Sequence, residues 1–264
     1  MKAIINRHMF TQGNVDSGTI TMMSTVVHRF SEPGEYKGRA IRGGNVVGNF
    51  TIIVGKREMS SSGQPTQAQI DLRQVEMPAA GRAGDGLMPN RFNIGADGYA
   101  VFRTSAAGGY VVEVYQEDGG QKVFDSCELK DGDLFYVMVL RPGTYSVTNT
   151  ITNARAELTV AYPEKGMARN SEPVRIECSG KGGIISPDKI SIKPMQGMVF
   201  NCKVPSRLKI DLVRPEDRAP VTPAAAAKET AQQQQQMMQA KAKPPSGKKI
   251  RRRIRIMPRT TLQA

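Results

Sequence analysis

Between Thr19 and Val213 apolar and polar residues alternate with a period of two, in short runs broken by glycine, proline and Asp-Gly or Gly-Gly turns. That period sends successive side chains to opposite faces of a strand, whereas long 3.6-residue helical patterns do not occur in this stretch. The pattern predicts strands over 18–30, 35–41, 46–54 and 67–75. A denser set follows over 99–104, 110–115, 121–127, 134–140, 144–150 and 154–161, and a last set over 174–178, 189–192, 198–203 and 207–213. Arg42-Gly43-Gly44-Asn45 has the chemistry of a tight hairpin, because glycine accepts positive φ without a Cβ clash. Residues 78–91, with Pro78, Gly81, Gly84, Gly86 and Pro89, read as a linker or long surface loop. Short strands at this spacing predict an all-β body of two to three small β-sandwich modules. The expected segments are 1–15 as an N-terminal lead, 16–77, 92–163 and 170–214.

The alternation stops after Val213. Pro215, Pro220 and Pro223 lead into 224–240, which holds six alanines, four of them consecutive, five consecutive glutamines and Met237-Met238. This stretch has helix propensity but no apolar stripe, so it reads as a low-complexity tether over 215–247, solvated as a helix or disordered. Pro244-Pro245-Ser246-Gly247 ends it, and a basic tail occupies 248–264.

Charge sharpens that division. The 264-residue chain carries +13, and 241–264 holds nine Lys and Arg with no Asp or Glu, leaving +4 for everything before it. The candidate contact residues for a polyanion or an acidic partner are Lys248, Lys249, Arg251, Arg252, Arg253, Arg255 and Arg259. Ile250, Ile254 and Ile256 are interleaved with them, and Arg253-Ile254-Arg255-Ile256 alternates as a strand does. Three readings are open. The tail contacts nucleic acid or an anionic surface by neutralising phosphates; its isoleucines add a strand to a partner's sheet edge; or it solubilises. Without an aromatic residue in the tail, base stacking is not expected, and nucleic-acid binding would be sequence-tolerant.

Composition restricts the chemistry. His8 and His28 are the only histidines, and no Ser–His–Asp or Cys–His arrangement can be argued from them. His28, beside Val26 and Val27, reads as a strand residue with a hydrogen-bond partner. Asp125, Glu128, Asp131 and Asp133 lack the spacing of a calcium loop, and Lys130-Asp131-Gly132-Asp133 reads as a hairpin turn. The glycine pairs precede no helix and carry no Gly-Lys-Ser/Thr ending, so they read as turns rather than phosphate loops. Cys127, Cys178 and Cys202 are odd in number and widely spaced, which suggests buried free thiols. A Cys178–Cys202 bridge would require facing strands and an oxidising compartment. No run is long and apolar enough to span a bilayer, and no secretory h-region is visible, so the default compartment is the cytoplasm.

One turn occurs twice. Pro33-Gly34-Glu35-Tyr36 and Pro142-Gly143-Thr144-Tyr145 each open a strand followed by a turn and an apolar strand, with Tyr36 to Phe50 spaced like Tyr145 to Leu158. Proline fixes φ, glycine takes the turn, and tyrosine buries its ring while its hydroxyl reaches backbone. Such a Tyr resembles the tyrosine corner of immunoglobulin-like sandwiches, and the segment around Tyr36 is similar to the last two strands of an immunoglobulin-like module. Residues 109–161, with Leu140-Arg141-Pro142-Gly143-Thr144-Tyr145, resemble prealbumin-like or carboxypeptidase-regulatory-like sandwiches. Ile185-Ser186-Pro187-Asp188-Lys189-Ile190 through Val199-Phe200 resembles the start of a cupredoxin. That last resemblance implies a fold and no copper, because no histidine lies near Cys202 and Met195 and Met198 read as core fillers.

The expectation is therefore a non-enzymatic β-sandwich binding or scaffold protein, without cofactor or metal, whose tethered tail docks on a polyanion. The alternative is a structural subunit of a larger envelope or secretion-type assembly. It would dock its tail on a protein partner and meet other copies or an assembly partner through sheet edges. In that case the first module, which has few strands, could be completed by another chain.

Overall fold

The structure is a computed structural model in which the described residues are 12–56, 65–77, 90–105, 107–162, 172–193 and 195–216. The tether and the tail, including Lys248, Lys249, Ile250, Arg251, Arg252, Arg253, Ile254, Arg255, Ile256 and Arg259, lie outside them. So do the expected helical stretch 224–240 and most of the linker, 78–89.

The described chain is all-β apart from one helical turn. In order it forms β1 (Asn14–Asp16), β2 (Ser24–Phe30), β3 (Gly34–Arg42), β4 (Asn45–Gly55), β5 (Gln67–Asp71), α1 (Leu72–Glu76), β6 (Arg91–Gly95), β7 (Gly98–Arg103) and β8 (Val111–Gln116). It continues with β9 (Lys122–Asp125), β10 (Asp133–Met138), β11 (Gly143–Asn149), β12 (Arg155–Val160), β13 (Val174–Ser179) and β14 (Ile184–Ser186). The last three strands are β15 (Lys189–Ile192), β16 (Gly197–Cys202) and β17 (Leu208–Pro215). The expected strands correspond to these, with three differences. Residues 72–76 turn helical rather than prolonging β5, because the Asp71 carboxylate accepts the Arg73 N–H at 3.1 Å and caps a turn that buries Leu72 and Val75. That turn lies so close to β4 that a Cβ on Gly48 would stand 2.5 Å from the Val75 carbonyl oxygen. Residues 18–23 are not a strand; only Ile20 bridges, to Tyr110. And β1, β6 and β14 were not legible, being too short or too polar to display a period.

The strands make three sheets, in the orders β1-β17-β11-β12-β15, β6-β4-β3-β8-β9 and β14-β13-β16-β10-β2-β7-β5. Each buries one face, as the alternating burial along β7, β10, β11 and β12 shows. Phe102 of the seven-stranded sheet stacks on Phe124 of β9 with centroids 5.1 Å apart, and Phe50 of β4 lies 5.9 Å from Phe102. The buried faces of all three sheets share one hydrophobic core. Pairing crosses the segment boundaries expected from sequence: β2 lies between β10 and β7. The sheet of β3 and β4, which looked short of strands, is completed by β6, β8 and β9 of this same chain.

The topology repeats. If β1 to β5 are matched with β9 to β13, and β6, β7 and β8 with β15, β16 and β17, the two five-stranded sheets have the same strand order and the seven-stranded sheet reads the same from either side, β14 apart. The parallel pairs correspond too, β4 with β6 to β12 with β15, and β5 with β7 to β13 with β16. The first halves of the two repeats are 109 residues apart, the separation of Gly18 and Cys127. At that offset the hydrogen bonds also repeat. Asp16 Oδ1 accepts from Gly18 N at 2.9 Å and Asp125 Oδ1 from Cys127 N at 2.8 Å. Ser17 Oγ accepts from Leu208 N and Ser126 Oγ from Val112 N, both at 3.0 Å. Tyr36 OH donates to Glu32 O at 2.8 Å and Tyr145 OH to Arg141 O at 2.6 Å, so the two Pro-Gly-x-Tyr turns are one corner used twice.

Two consequences follow for assembly of the body. The repeats meet at β2 and β10, where Val26 pairs with its own counterpart Phe135, so a local two-fold axis passes through that pair. The first strands are also exchanged: β1 pairs with β17 of the second repeat, and β9 with β8 of the first. The molecule is thus a dimer-like arrangement made by one chain.

Each Tyr→Phe change at the corners, Y36F or Y145F, is expected to keep the fold and cost about 1 kcal/mol, the net worth of one hydrogen bond, in urea unfolding. Deleting residues 1–16 should leave the first repeat protected. It should speed amide exchange in β17 at Leu212, whose N–H donates to Gly13 O at 2.7 Å, measured by hydrogen–deuterium exchange.

Candidate functional site

Because the tail lies outside the described residues, its candidate contact residues have no geometry to report. What the body displays is its three outward sheet faces, and they differ. The face of β3, β8 and β9 is largely polar and internally neutralised, with Ile41, Val46 and Val111 in one row at its end. Lys37 Nζ lies 2.6 Å from Glu35, Lys122 Nζ 2.6 Å from Glu113 and 3.0 Å from Asp125, and the Arg39 guanidinium lies 5.1 Å from the centre of the Tyr115 ring. The hydrogen bonds from Glu113 and Asp125 hold the Lys122 ammonium well above its ordinary range. The face of β11, β12 and β15 presents Thr144, Ser146, Thr148, Glu157, Lys189 and Ser191.

The outward face of the seven-stranded sheet is apolar at its centre. One row across it runs Gln69, Val101, Val27, Leu134, Asn201, Glu177, and the next runs Thr25, Tyr136, Val199, Arg175. Val101, Val27, Leu134, Tyr136 and Val199 are only partly covered. Arg103, Arg29 and Arg175 stand at the margin, Arg29 paired with Asp97 at 2.7 Å. Glu177 faces Lys203 at 3.0 Å, and hydrogen bonds from Lys203 and Ser179 hold its carboxyl below the usual range. A groove of about 920 Å³ opens at the second-repeat end of this face, lined by Leu134, Val199, Asn201, Arg175, Glu177 and Ser186 among others. The signal for this face in the sequence is the adjacent Val26-Val27 and the unbroken apolar run Leu134–Leu140, which put apolar side chains on both faces of β2 and β10 where a strand covered on one side would alternate.

The polar groups inside the body are engaged structurally. His28 Nδ1 lies 2.6 Å from Asp133 Oδ1, and Asp133 Oδ2 accepts from Lys130 N at 2.7 Å, which ties the turn before β10 to β2. The counterpart turn uses Ser24 Oγ, accepting from Thr21 N at 2.9 Å. Asp125 caps its own turn and Asp133 holds this one, in line with the turn reading of that acidic stretch. Arg207 forks onto Asp16 through Nε at 3.1 Å and Nη2 at 2.9 Å, fastening β1 to β17. Met198 is buried, but Met195 is 71% exposed at a positive-φ turn, so the expectation that both methionines fill core is corrected for Met195.

Cys178 and Cys202 are register partners on the parallel strands β13 and β16, both fully buried and both free thiols. The hydrogen bond to Cys178, with burial, pushes the Cys202 thiol far above its ordinary value, so it stays protonated. Cys127 is partly exposed, and burial followed by the Asp125 charge raises its thiol too. Among the described residues no cluster of three or more His, Cys, Asp or Glu is placed to hold a metal, and no helix is long and apolar enough to cross a membrane.

Glu76, at the end of α1, accepts from the Tyr110 hydroxyl and from Arg42 Nη1 at 2.9 and 3.0 Å. The Tyr110 hydroxyl and then the Arg42 charge hold the Glu76 carboxyl below the usual carboxylate range. A carboxyl lowered in the folded state contributes stability that is complete above the unfolded value and is lost as pH falls through the folded one. Thermal midpoints should therefore drop as pH goes below about 4.5, and E76Q should show a shallower drop in that window, read by calorimetry across an acid series.

No family model, no curated protein and no solved structure matches the chain.

Proposed function

We propose that this chain is a non-enzymatic binding or scaffold protein in which a rigid duplicated β-body carries a basic tail that docks on a polyanion. The observation that carries the reading is the segregation of charge. Most of the excess positive charge lies in 241–264, which has no acidic residue, while many body cations face a carboxylate within 4 Å. A body balanced in this way offers little long-range attraction, so Lys248, Lys249, Arg251, Arg252, Arg253, Arg255 and Arg259 dominate the field felt by an anion. Phosphate neutralisation by these side chains releases counterions and needs no fixed tail conformation.

A second reading is favoured by one feature, the Arg253-Ile254-Arg255-Ile256 alternation. In it the chain is a structural subunit whose Ile250, Ile254 and Ile256 dock on the sheet edge of a protein partner while the arginines meet its acidic groups. The immunoglobulin-like and prealbumin-like resemblances belong with this reading.

Salt separates the two. The full chain and a form ending at residue 240 are titrated against a fluorescent DNA duplex by anisotropy between 50 and 300 mM salt. With the polyanion reading, the tail-less form loses most of its affinity, and replacing any one tail Arg by Ala lowers the salt slope by about one. Equal affinity of the two forms rejects it, and a salt-tolerant protein complex that needs Ile254 and Ile256 supports strand docking instead.

A further inference from the structure

We propose that the outward face of the seven-stranded sheet is a self-association surface on which a second copy of this chain packs, sheet against sheet. The outward face of β11, β12 and β15 is hydrophilic, and that of β3, β4 and β8 carries Ile41, Val46 and Val111 only at one end of its strands; this one places Val101, Val27 and Leu134 at its centre in one row beside Tyr136 and Val199 in the next. Its margin is polar at both ends, with Gln69 and Arg103 on one side and Arg175 and Glu177 on the other. An apolar centre ringed by polar groups is the layout of a protein interface rather than of a solvated face.

Size, shape and charge point to a second copy as the occupant. Seven strands spaced ~4.8 Å apart, each ~18 Å long, present about 500–600 Å². Paired with itself the face would bury roughly 1,100 Å², the lower edge of what specific complexes use. Two sheets of identical twist are complementary by construction and pack at about 10 Å. The charges fit a two-fold axis lying between the two rows and running across the strands. Such an axis keeps β13 over β13 and exchanges the rows, so Glu177 meets the second copy's Arg175 and Arg175 meets its Glu177. It also sets Leu134 over Tyr136 and Asn201 over Val199. Each contact then occurs twice, as an isologous dimer requires. A sheet-edge association would use β14 or β5 instead and would leave this face exposed.

The footprint predicts a dimer that dissociates on dilution. Sedimentation equilibrium of the full chain in about 0.5 M salt, where exposed charge effects of the tail are screened over ~4 Å, is expected to show a monomer–dimer equilibrium. L134E should weaken it by about ten-fold or more, because a carboxylate is buried at the centre, with the far-ultraviolet dichroism unchanged. R175E should weaken it through like charge, and R175E/E177R, which restores the pair with the signs exchanged, should recover it. A monomer at every concentration overturns the proposal, as does a dimer insensitive to L134E or an R175E defect that E177R does not relieve. If L134E fails to fold, the exposed Arg175 and Glu177 variants decide alone.

Discussion

The fold depends on the antiparallel pairing of β2 with β10. Without it there would be two separate sheet fragments, β5-β7-β2 and β14-β13-β16-β10, each with one long unpaired edge. With it, those edges satisfy each other's backbone groups and the buried faces merge into one core. Val26 and Phe135 sit opposite one another at the local two-fold axis and are both fully buried, so the joint is also sealed by side chains. An edge with unpaired N–H and C=O groups invites further strands, and burying that edge against its own counterpart removes the hazard within one chain.

The exchanged strands add a second tie. β1 and β9 are short, yet each is anchored by the same Asx turn, the same serine bond to the opposite repeat and the same bridge beyond it, Ile20 to Tyr110 and Leu129 to Ser206. Arg207 reinforces the first of these ties through Asp16, and Lys122 of β9 the second through Glu113 of β8 at 2.6 Å. The repeats have therefore diverged in their surface chemistry while keeping the backbone bonds. This is expected where burial fixes the bonds and solvent leaves the side chains free to change. It also explains why the two halves look alike in topology and unlike in sequence outside the Pro-Gly-x-Tyr corner and the Asp-Ser pair.

The same divergence separates the faces by role. The two five-stranded sheets turn mainly charged, serine- and threonine-bearing rows outward, with Ile41, Val46 and Val111 at one end of one of them, and their ion pairs, half-exposed, add little stability each. The seven-stranded sheet keeps aliphatic residues on both sides near its axis. A strand apolar on both sides is the mark of burial on both sides, and the body itself covers only one of them. Tail and sheet face are thus two separate candidates for contact, one acting through charge and the other through apolar area.

The sequence by itself determined the elements. Period-two alternation, the Gly-Gly and Asp-Gly turns and the repeated tyrosine corner are local, and local sterics and burial act within a few residues, so most strands fell where the pattern placed them. Charge segregation into 241–264 and the scarcity of histidine were equally plain. Only the tertiary structure decided which strands are neighbours. A three-residue strand such as β1 carries no period, α1 exists because Asp71 caps a turn that β4 has room for, and the continuous seven-stranded sheet joins segments that a linear reading divides into modules. Pairing partners are chosen by long-range register and shared burial, which couple residues more than a hundred positions apart. Alternation within a strand contains no information about which edge it will meet.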